Sequence, residues 1–539
     1  MAEIQIALSR KRICCEDGSN LLQALLEAGV FVDNPCGGKG ICGKCKIRVI
    51  SGGEDNISPV TETEKKHLTK EELTSGIRLS CLAEVHGQVG IELLEKERKH
   101  KVLTKGYVPD FDREFRDEGY GIAVDIGTTT VVVSLVNLAN GEEIADASMI
   151  NAQKHYGLDV LTRITYEYEH PDDGAQKLKE AIVNSLNSMI DEVCLEAGIS
   201  SDLIREIDVA ANCTMMHMLL GVDARSIGRA PYKPQFLEAR CIKAAEIGLT
   251  AGRGADLYCL PHVSAYIGAD IVAGAYVCNL QKEKGNVLFI DIGTNGEIVL
   301  ASGGRLLCCS CAAGPALEGM NISCGMRAAE GAIEDITINE SGVEYAVIGQ
   351  EGAEAEAAGL CGSGILSAMK ELLRTGMVKK TGVFVKKEKL AEDDYRYPMI
   401  RVNGTKRELI ISTEPEIIVT QDDVRQVQLA KGAILSGITA LLRKAEIAVE
   451  DLDKVMVAGQ FGAHLPAESL IRTGILPAVR ADKLVYVGNS SKTGAYMTLM
   501  SRKVKGQMEE LAASMEYMEL AETEGYDRLF SDCMMFPQE

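Results

Sequence analysis

Two distant segments of the chain share one pattern, and that repetition limits the fold more than any other feature. Gly121 to Ala145 reads GIAVDIGTTTVVVSLVNLANGEEIA, and Asn286 to Ser310 reads NVLFIDIGTNGEIVLASGGRLLCCS. In each, an apolar run ends in Asp-Ile-Gly-Thr, a tight turn follows, a second apolar run continues, and a hairpin turn closes the unit. Asp125 and Asp291 fall in matching positions. The economical reading is a duplicated α/β core over residues 121–539. With 539 residues there is room for about three or four compact units, so a second domain must precede this core.

The glycines of these turns lie between two strands, whereas dinucleotide folds and phosphate loops place theirs between a strand and a helix. A hairpin turn can still bind phosphate through backbone N–H groups and hydroxyls. Gly127, Thr128, Thr129 and Thr130 offer these in the first turn, and Gly293, Thr294, Asn295 and Gly296 in the second. Asp125 and Asp291, at the strand ends, would then hold Mg²⁺ and its waters. One Asp-x-Gly is an ordinary hairpin turn. Two in matching contexts are stronger evidence for a phosphate site, and KVMVAGQFGAHL at Lys454 to Leu465 is again a strand and a Gly-rich turn.

The N-terminal region carries different chemistry. Cys36, Cys42, Cys45 and Cys81 give C-x5-C-x2-C-x35-C, one residue longer in the first gap than the plant-type [2Fe-2S] spacing C-x4-C-x2-C with a distant fourth Cys. A two-iron cluster needs four thiolates, three of them from a loop that wraps it. Gly37, Gly38, Gly40 and Gly43 permit that wrapping because glycine reaches positive φ without strain. Structural zinc also suits four cysteines, but zinc ribbons usually supply two C-x-x-C knuckles, and here only Cys42 and Cys45 make one in the set. The same loop, GKGICGKC, nearly matches a phosphate loop, with Cys45 where Ser or Thr is required. Strands are expected over Glu3–Leu8, Arg12–Cys15, Lys46–Ile50 and Val89–Leu94. Helices are expected after a Ser19 cap and around Glu62 to Leu73. This is a small α+β unit, residues 1–94. Cys14 and Cys15 lie outside the spacing and read as packing residues.

Residues 95–120 are charged and poor in aliphatic side chains, and read as a solvated linker. Its basic cluster, Lys96, Arg98, Lys99 and Lys101, could alternatively dock an acidic partner. Farther on, CGSG at Cys361 to Gly364 opens a helical pattern, and GNSSKTG near Gly488 is an imperfect phosphate loop. His217, His262 and His464 read as structural, and Cys308, Cys309 and Cys311 as buried thiols. A formal net charge of −21 argues against nucleic acid and anionic membranes as partners. No apolar run approaches the roughly 20 residues that cross a bilayer, and no signal peptide is evident, so the cytoplasm is expected.

The segments NPCGGKGICGKCKIRV and RLSCLAEV resemble the β-grasp ferredoxin domains of larger redox proteins, which implies cluster ligation by Cys36, Cys42, Cys45 and Cys81. The two turns and AGQFGAHL resemble the phosphate and adenosine motifs of the actin, sugar kinase and Hsp70 superfamily. That resemblance implies a duplicated ribonuclease-H-like core, with Gly459, Gln460, Phe461 and Gly462 at the adenosine and Gly362, Ser363 and Gly364 in an additional glycine turn. Joined in one chain, and with NAQKHYGLDVLTRI, ANCTMMHMLLGVD and PHVSAYIGAD also matching, these features resemble the reductive activators of corrinoid proteins. The resemblance implies an ATP-hydrolysing iron–sulfur reductase that transfers one electron to a corrinoid protein, taking Co(II) to Co(I) for methyl transfer. It also implies a separate low-potential electron donor and a possible homodimer. Two departures stand out: little room for an additional middle domain, and no C-terminal multi-cysteine ferredoxin. The alternatives are an activator of another low-potential enzyme, a redox-regulated small-molecule kinase, or an Hsp70-like clamp.

Overall fold

The computed structural model describes residues 2–7, 12–28, 30, 32, 38, 40, 43–52, 56–94, 106–349, 357–404, 406–459 and 465–537. The chain divides into two compact units, Met1–Lys99 with Lys154–Leu158, and His100–Gln153 with Asp159–Glu539.

In the first unit, strands β1 (Ala2–Ile6), β2 (Arg12–Cys15), β3 (Lys46–Ser51), β4 (Ile77–Leu79) and β5 (Gln88–Leu93) form one sheet in the order β2-β1-β5-β3-β4. β1 and β5 are parallel, and the other neighbours are antiparallel. Helix α1 (Leu21–Glu27) buries Leu21, Leu22, Ala24 and Leu25 in a core with Ile4, Ile47, Leu79 and Ile91, which is the β-grasp arrangement. Its cap is Asn20, whose side chain accepts the Gln23 N–H at 3.2 Å, and not the expected Ser19. Ser19 and Asn20 pair with Val85 and Glu84 as a two-residue ladder, so the chain enters the helix one residue later. Cys14 is exposed and does not pack, correcting the expectation for it.

The second unit contains the duplication. Strands β6 (Tyr120–Ile126), β7 (Thr130–Asn137), β8 (Glu142–Ile150), β9 (Ile204–Ala211), β10 (Arg240–Lys243) and β11 (Asp256–Cys259) are ordered β8-β7-β6-β9-β11-β10. Strands β12 (Val287–Ile292), β13 (Gly296–Ser302), β14 (Arg305–Cys311), β15 (Lys454–Ala458), β16 (Leu484–Gly488) and β17 (Glu516–Tyr517) are ordered β16-β15-β12-β13-β14-β17. In both sheets the first three strands are antiparallel neighbours, and the first strand pairs in parallel with the fourth; the fourth in turn pairs in parallel with β11 in the first sheet and with β16 in the second. This is the repeated ribonuclease-H-like sheet. Gly121 to Val124 and Val287 to Ile290 are buried without alternation, as strands covered on both faces require.

Helices supply that cover. α2 (Gly174–Ala197) lies on β7 and β8, while α3 (Ala269–Val277) packs with α6. α4 (Gly362–Arg374) lies against the strand Ala332–Asn339, and α5 (Gln421–Ala445) on β13 and β14. α6 (Ser490–Met500) follows β16 yet packs on β6 and β9 of the other sheet, and all its residues are buried. A Cβ on Gly494 would stand 2.4 Å from the Ala273 Cβ, so glycine sets the close approach of α3 and α6. α7 (Arg502–Ser514) follows directly.

Residues 106–119 of the expected solvated linker are laid against this unit. Tyr107 N–H donates to Val487 O at 3.1 Å, Glu114 N–H to Met500 O at 2.7 Å, and Arg116 N–H to Leu138 O at 2.9 Å. Lys96, Arg98, Lys99 and Lys101 lie outside the described residues. Among the described residues no helix is long and apolar enough to cross a membrane.

Candidate functional site

The register of β3 and β4 brings two of the four predicted cluster ligands together. Lys46 pairs with Leu79, so Cys45 precedes one strand and Cys81, in the 3₁₀ turn Ser80–Leu82, follows its neighbour. Their sulfurs are 3.2 Å apart, and both side chains are buried. The Cys81 thiol lowers the Cys45 thiol to about 6, against the opposing effect of burial. Gly38, Gly40 and Gly43 have φ of +81°, +71° and +66°, the left-handed backbone expected of a wrapping loop. Cys36, Cys42 and Gly37 lie outside the described residues, and among the described ones no group of three or more His, Cys, Asp or Glu side chains is placed to hold a metal ion. Two convergent buried thiols, one already acidified, suit the thiolate donors that a [2Fe-2S] cluster requires.

In the second unit both Asp-Ile-Gly-Thr turns open into one cleft of about 120 Å³. Gly127, Thr128, Thr129, Thr130, Gly293, Thr294, Asn295 and Gly459 line it with Asp125 and Asp291. The second turn is one residue shorter: Asp125 pairs across the strand with Val132, but Asp291 with Glu297. Directly paired residues share a sheet face, so Glu297 stands beside Asp291 and lines the cleft, where the first repeat has Val132 beside Asp125. Asp270 and Glu318 complete a set of five lining carboxylates, joined by Asn212, Asn489, Ser490 and Ser491. The cleft is smaller than the ~300–1,000 Å³ of whole-ligand pockets, a size suited to phosphates and a cation more than to a complete nucleotide.

Hydrogen bonds orient these groups. Asp125 accepts from Asn489 Nδ2 at 2.9 Å and Ser491 Oγ at 2.7 Å. Glu318 accepts from Thr129 Oγ1 at 3.2 Å and Thr294 Oγ1 at 2.5 Å, tying the two turns to one carboxylate. Burial and the neighbouring Asp125 charge push Asp291 up to about 7; burial, Asp291 and Asp125 push Asp270 to about 8. Glu297 is raised well above the usual carboxylate range by burial, Asp270 and Asp291. Burial also raises Asp125, with Ser491 and Asn489 opposing. A site that concentrates this much negative potential favours a multivalent cation with its anion.

Gly296, Gly362, Ser363 and Gly364 do not line the cleft. A Cβ on Gly362 would meet Leu317 O at 1.9 Å and one on Gly364 would meet Ile333 O at 2.1 Å, so these glycines let α4 close onto its neighbours. Gln460, Phe461, Gly462 and His464 lie outside the described residues. Six lining groups that sequence reasoning missed, Asn212, Asp270, Glu297, Asn489, Ser490 and Ser491, sit in stretches it quoted. GNSSKTG does reach the cleft, as the Asn489-capped N-terminus of α6, without forming a phosphate loop. Glu297 follows the second turn directly, whereas nothing local marks Glu318.

His217 stacks on Phe236 with centroids 4.3 Å apart, and its Nε2 accepts the Gln235 N–H. His262 Nδ1 accepts the Ala269 N–H at 3.0 Å, and burial lowers its pKa to about 3. Cys308, Cys309 and Cys311 are buried on β14, and desolvation raises all three thiols.

These two sites define a class: a ferredoxin-type iron–sulfur unit on the same chain as an actin- and sugar kinase-type nucleotide-binding fold. Comparison with known proteins narrows it. Residues 4–86 match the 2Fe-2S iron-sulfur cluster binding domain, residues 120–283 the RACo middle region, and residues 285–539 the C-terminal domain of RACo, the ASKHA domain. The corrinoid activation enzyme RamQ of Eubacterium limosum is 33% identical over 458 residues, covering 81% of this chain and 75% of that one. A [Co(II) methylated amine-specific corrinoid protein] reductase of Methanosarcina barkeri is 26% identical over 440 residues, covering 76% of each. A solved reductive activator for corrinoid, iron-sulfur protein superposes with a TM-score of 0.69 at 30% identity, over 100% of this chain and 99% of that one. The chain belongs to the RACo family of reductive activators of corrinoid proteins. The RACo middle region matches the stretch that holds the first of the two repeated sheets, which corrects the expectation of little room for a middle domain.

Proposed function

We propose that the protein is an ATP-dependent reductase of a corrinoid protein, delivering the single electron that takes cobalt from Co(II) to the nucleophilic Co(I) used in methyl transfer. One observation carries the reading: a pair of buried thiols 3.2 Å apart in a ferredoxin-type unit shares a chain with two Asp-Ile-Gly-Thr turns meeting at one cleft. Family membership supports it. In this reading residues 1–94 are the electron-transfer domain, 95–120 the connection and 121–539 the two-lobed nucleotide-binding core. Cys36, Cys42, Cys45 and Cys81 hold a [2Fe-2S] cluster, which when bound supplies one-electron transfer at low potential, roughly −400 mV for the plant type.

The chain's own residues do the remaining work. The turn N–H groups at Thr128 and Thr129 take the phosphates, Asp125 and Asp291 hold Mg²⁺ through oxygen, and Gly459, Gln460, Phe461 and Gly462 take base and ribose. Water is the nucleophile, and its product is ADP and phosphate. Reducing a corrinoid whose potential lies below the donor costs about 2.3 kcal/mol per 100 mV. Nucleotide binding offsets that cost by favouring one state of the protein and its complex through differential affinity. The described cysteines are all free thiols, consistent with a reducing, cytoplasmic setting.

The test mixes the reduced holoprotein with a Co(II) corrinoid protein and follows the cobalt spectrum. Co(I) is expected to accumulate with ATP and not without it; an ATP-independent yield, or none with any corrinoid partner, overturns the proposal.

A further inference from the structure

The stretch Asn151–Ile164 resembled the family without receiving a role. In the structure two of its side chains lie directly behind the first phosphate turn. Asn151, Gln153 and Arg163 are all 0% exposed. Gly127 O accepts from Asn151 Nδ2 at 2.9 Å, Thr128 O from Arg163 Nη2 at 2.5 Å, and Thr129 O from the Asn151 N–H at 2.9 Å. Three successive carbonyls of the turn are thus drawn to one side. Because each peptide is planar and trans, its N–H points opposite its carbonyl. Fixing Gly127 O and Thr128 O behind the turn therefore directs the Thr128 and Thr129 N–H groups forward, into the cleft these residues line. Successive N–H groups on one face make an anion-binding concavity.

The charge arrangement points the same way. The cleft lining carries five carboxylates and, among the described residues, neither Lys nor Arg. Arg163 sits behind the lining, its guanidinium also meeting Gln153 Oε1 at 3.3 Å and Met215 Sδ at 2.9 Å. Burial lowers it to about 9, with Asp159 opposing, so it keeps its charge at neutral pH. Glu318 supports both turns, through Thr129 and Thr294, whereas the Asn151 and Arg163 side-chain bonds go to the first turn.

We infer that Arg163 is a positioning residue for the nucleotide's phosphate chain, orienting the Thr128 and Thr129 N–H groups and placing a positive charge beneath them. The inference rests on the proposed nucleotide site. It assigns the first turn, and not the second, as the principal anion seat.

Two measurements on the full-length holoprotein test it. In the unaltered protein, backbone hydrogen exchange over residues 126–131 should slow with ATP and with inorganic tripolyphosphate, and stay unchanged with adenosine. ATP binding that leaves this segment unprotected overturns the inference alone, whereas failure of the protein to bind ATP removes the nucleotide reading as well. In Arg163→Met the KM for ATP should rise at least tenfold, with adenosine affinity within about twofold of the unaltered protein and the visible spectrum intact. Arg163→Lys, which keeps the charge but not the planar fork, should fall between the two. Equal loss of ATP and adenosine, or an unchanged KM in both variants, overturns the assignment.

Discussion

At the residue scale, glycine does opposite things in this chain, and the difference is measurable. Gly459 has φ +89°, and a Cβ there would stand 2.3 Å from Asp291 Oδ1 and 3.0 Å from Ile292 O. Gly459→Ala should therefore cost about 1–3 kcal/mol in stability and displace Asp291, weakening ATP binding in a direct titration. Gly506, inside α7, meets nothing within 4 Å. Gly506→Ala should instead stabilise by about 0.5–1 kcal/mol, through the helix entropy that glycine costs, with no change in ATP turnover. Urea denaturation read by far-ultraviolet circular dichroism separates the two. Single residues were legible in the sequence where a local pattern exposed them: Asp125 and Asp291 end apolar runs, and Cys45 and Cys81 follow a metal spacing. Glu318 was not, because it lies 189 residues from Thr129 and 24 from Thr294, and only the tertiary fold brings it to both. Its position also refines the sequence expectation. The Thr129 and Thr294 hydroxyl protons go to Glu318, so these oxygens turn lone pairs, and not protons, toward the cleft.

At the scale of elements, alternation and turn residues were enough to read the repeated strands, since β6 and β12 are continuous apolar runs that end at turn glycines. The elements held by distant partners were less visible. Residues 106–119 look like a connector by composition, yet backbone bonds to Val487, Met500 and Leu138 fix them. The short strand β4 depends on a buried ion pair that no periodicity marks. Arg78 Nε meets Glu64 Oε1 at 2.8 Å, Leu79 N–H donates to the same oxygen at 3.1 Å, and Glu64 is 0% exposed. Burial pushes the Glu64 carboxyl up, but Arg78 and the N–H groups of Thr61 and Leu79 outweigh it and hold it below the usual range. The stabilisation is therefore present above the unfolded carboxyl's value of about 4.3 and is lost as pH falls through the lower, folded one. Glu64→Gln leaves the Arg78 charge uncompensated and should cost roughly 3–5 kcal/mol at pH 7. Hydrogen exchange of Ile77–Leu79, corrected for intrinsic rates, should show that difference and its narrowing in acid. A constant difference down to pH 3 would mean that the ion pair is not its source.

At the scale of the whole molecule, the chain forms two compact units, each with its own apolar core, and the proposed function places electron transfer in one and nucleotide hydrolysis in the other. A unit with its own core folds largely independently of the other, so damage to one site should leave the other chemically intact while abolishing their joint product. Cys42→Ser removes one of four thiolates and should eliminate the visible cluster spectrum, with ATP affinity unchanged. Asp291→Ala removes a proposed cation ligand at the end of β12 and should lower ATP hydrolysis at least a hundredfold, with the cluster spectrum unchanged. Neither variant should generate Co(I) from a Co(II) corrinoid protein. If they are mixed in equal amounts, Co(I) production separates two forms of coupling. Recovery would mean that one molecule can use ATP while another supplies the electron. Continued inactivity would mean that hydrolysis and electron delivery must occur in the same chain. The second outcome is expected, because a nucleotide shifts the equilibrium only of the protein or complex to which it is bound.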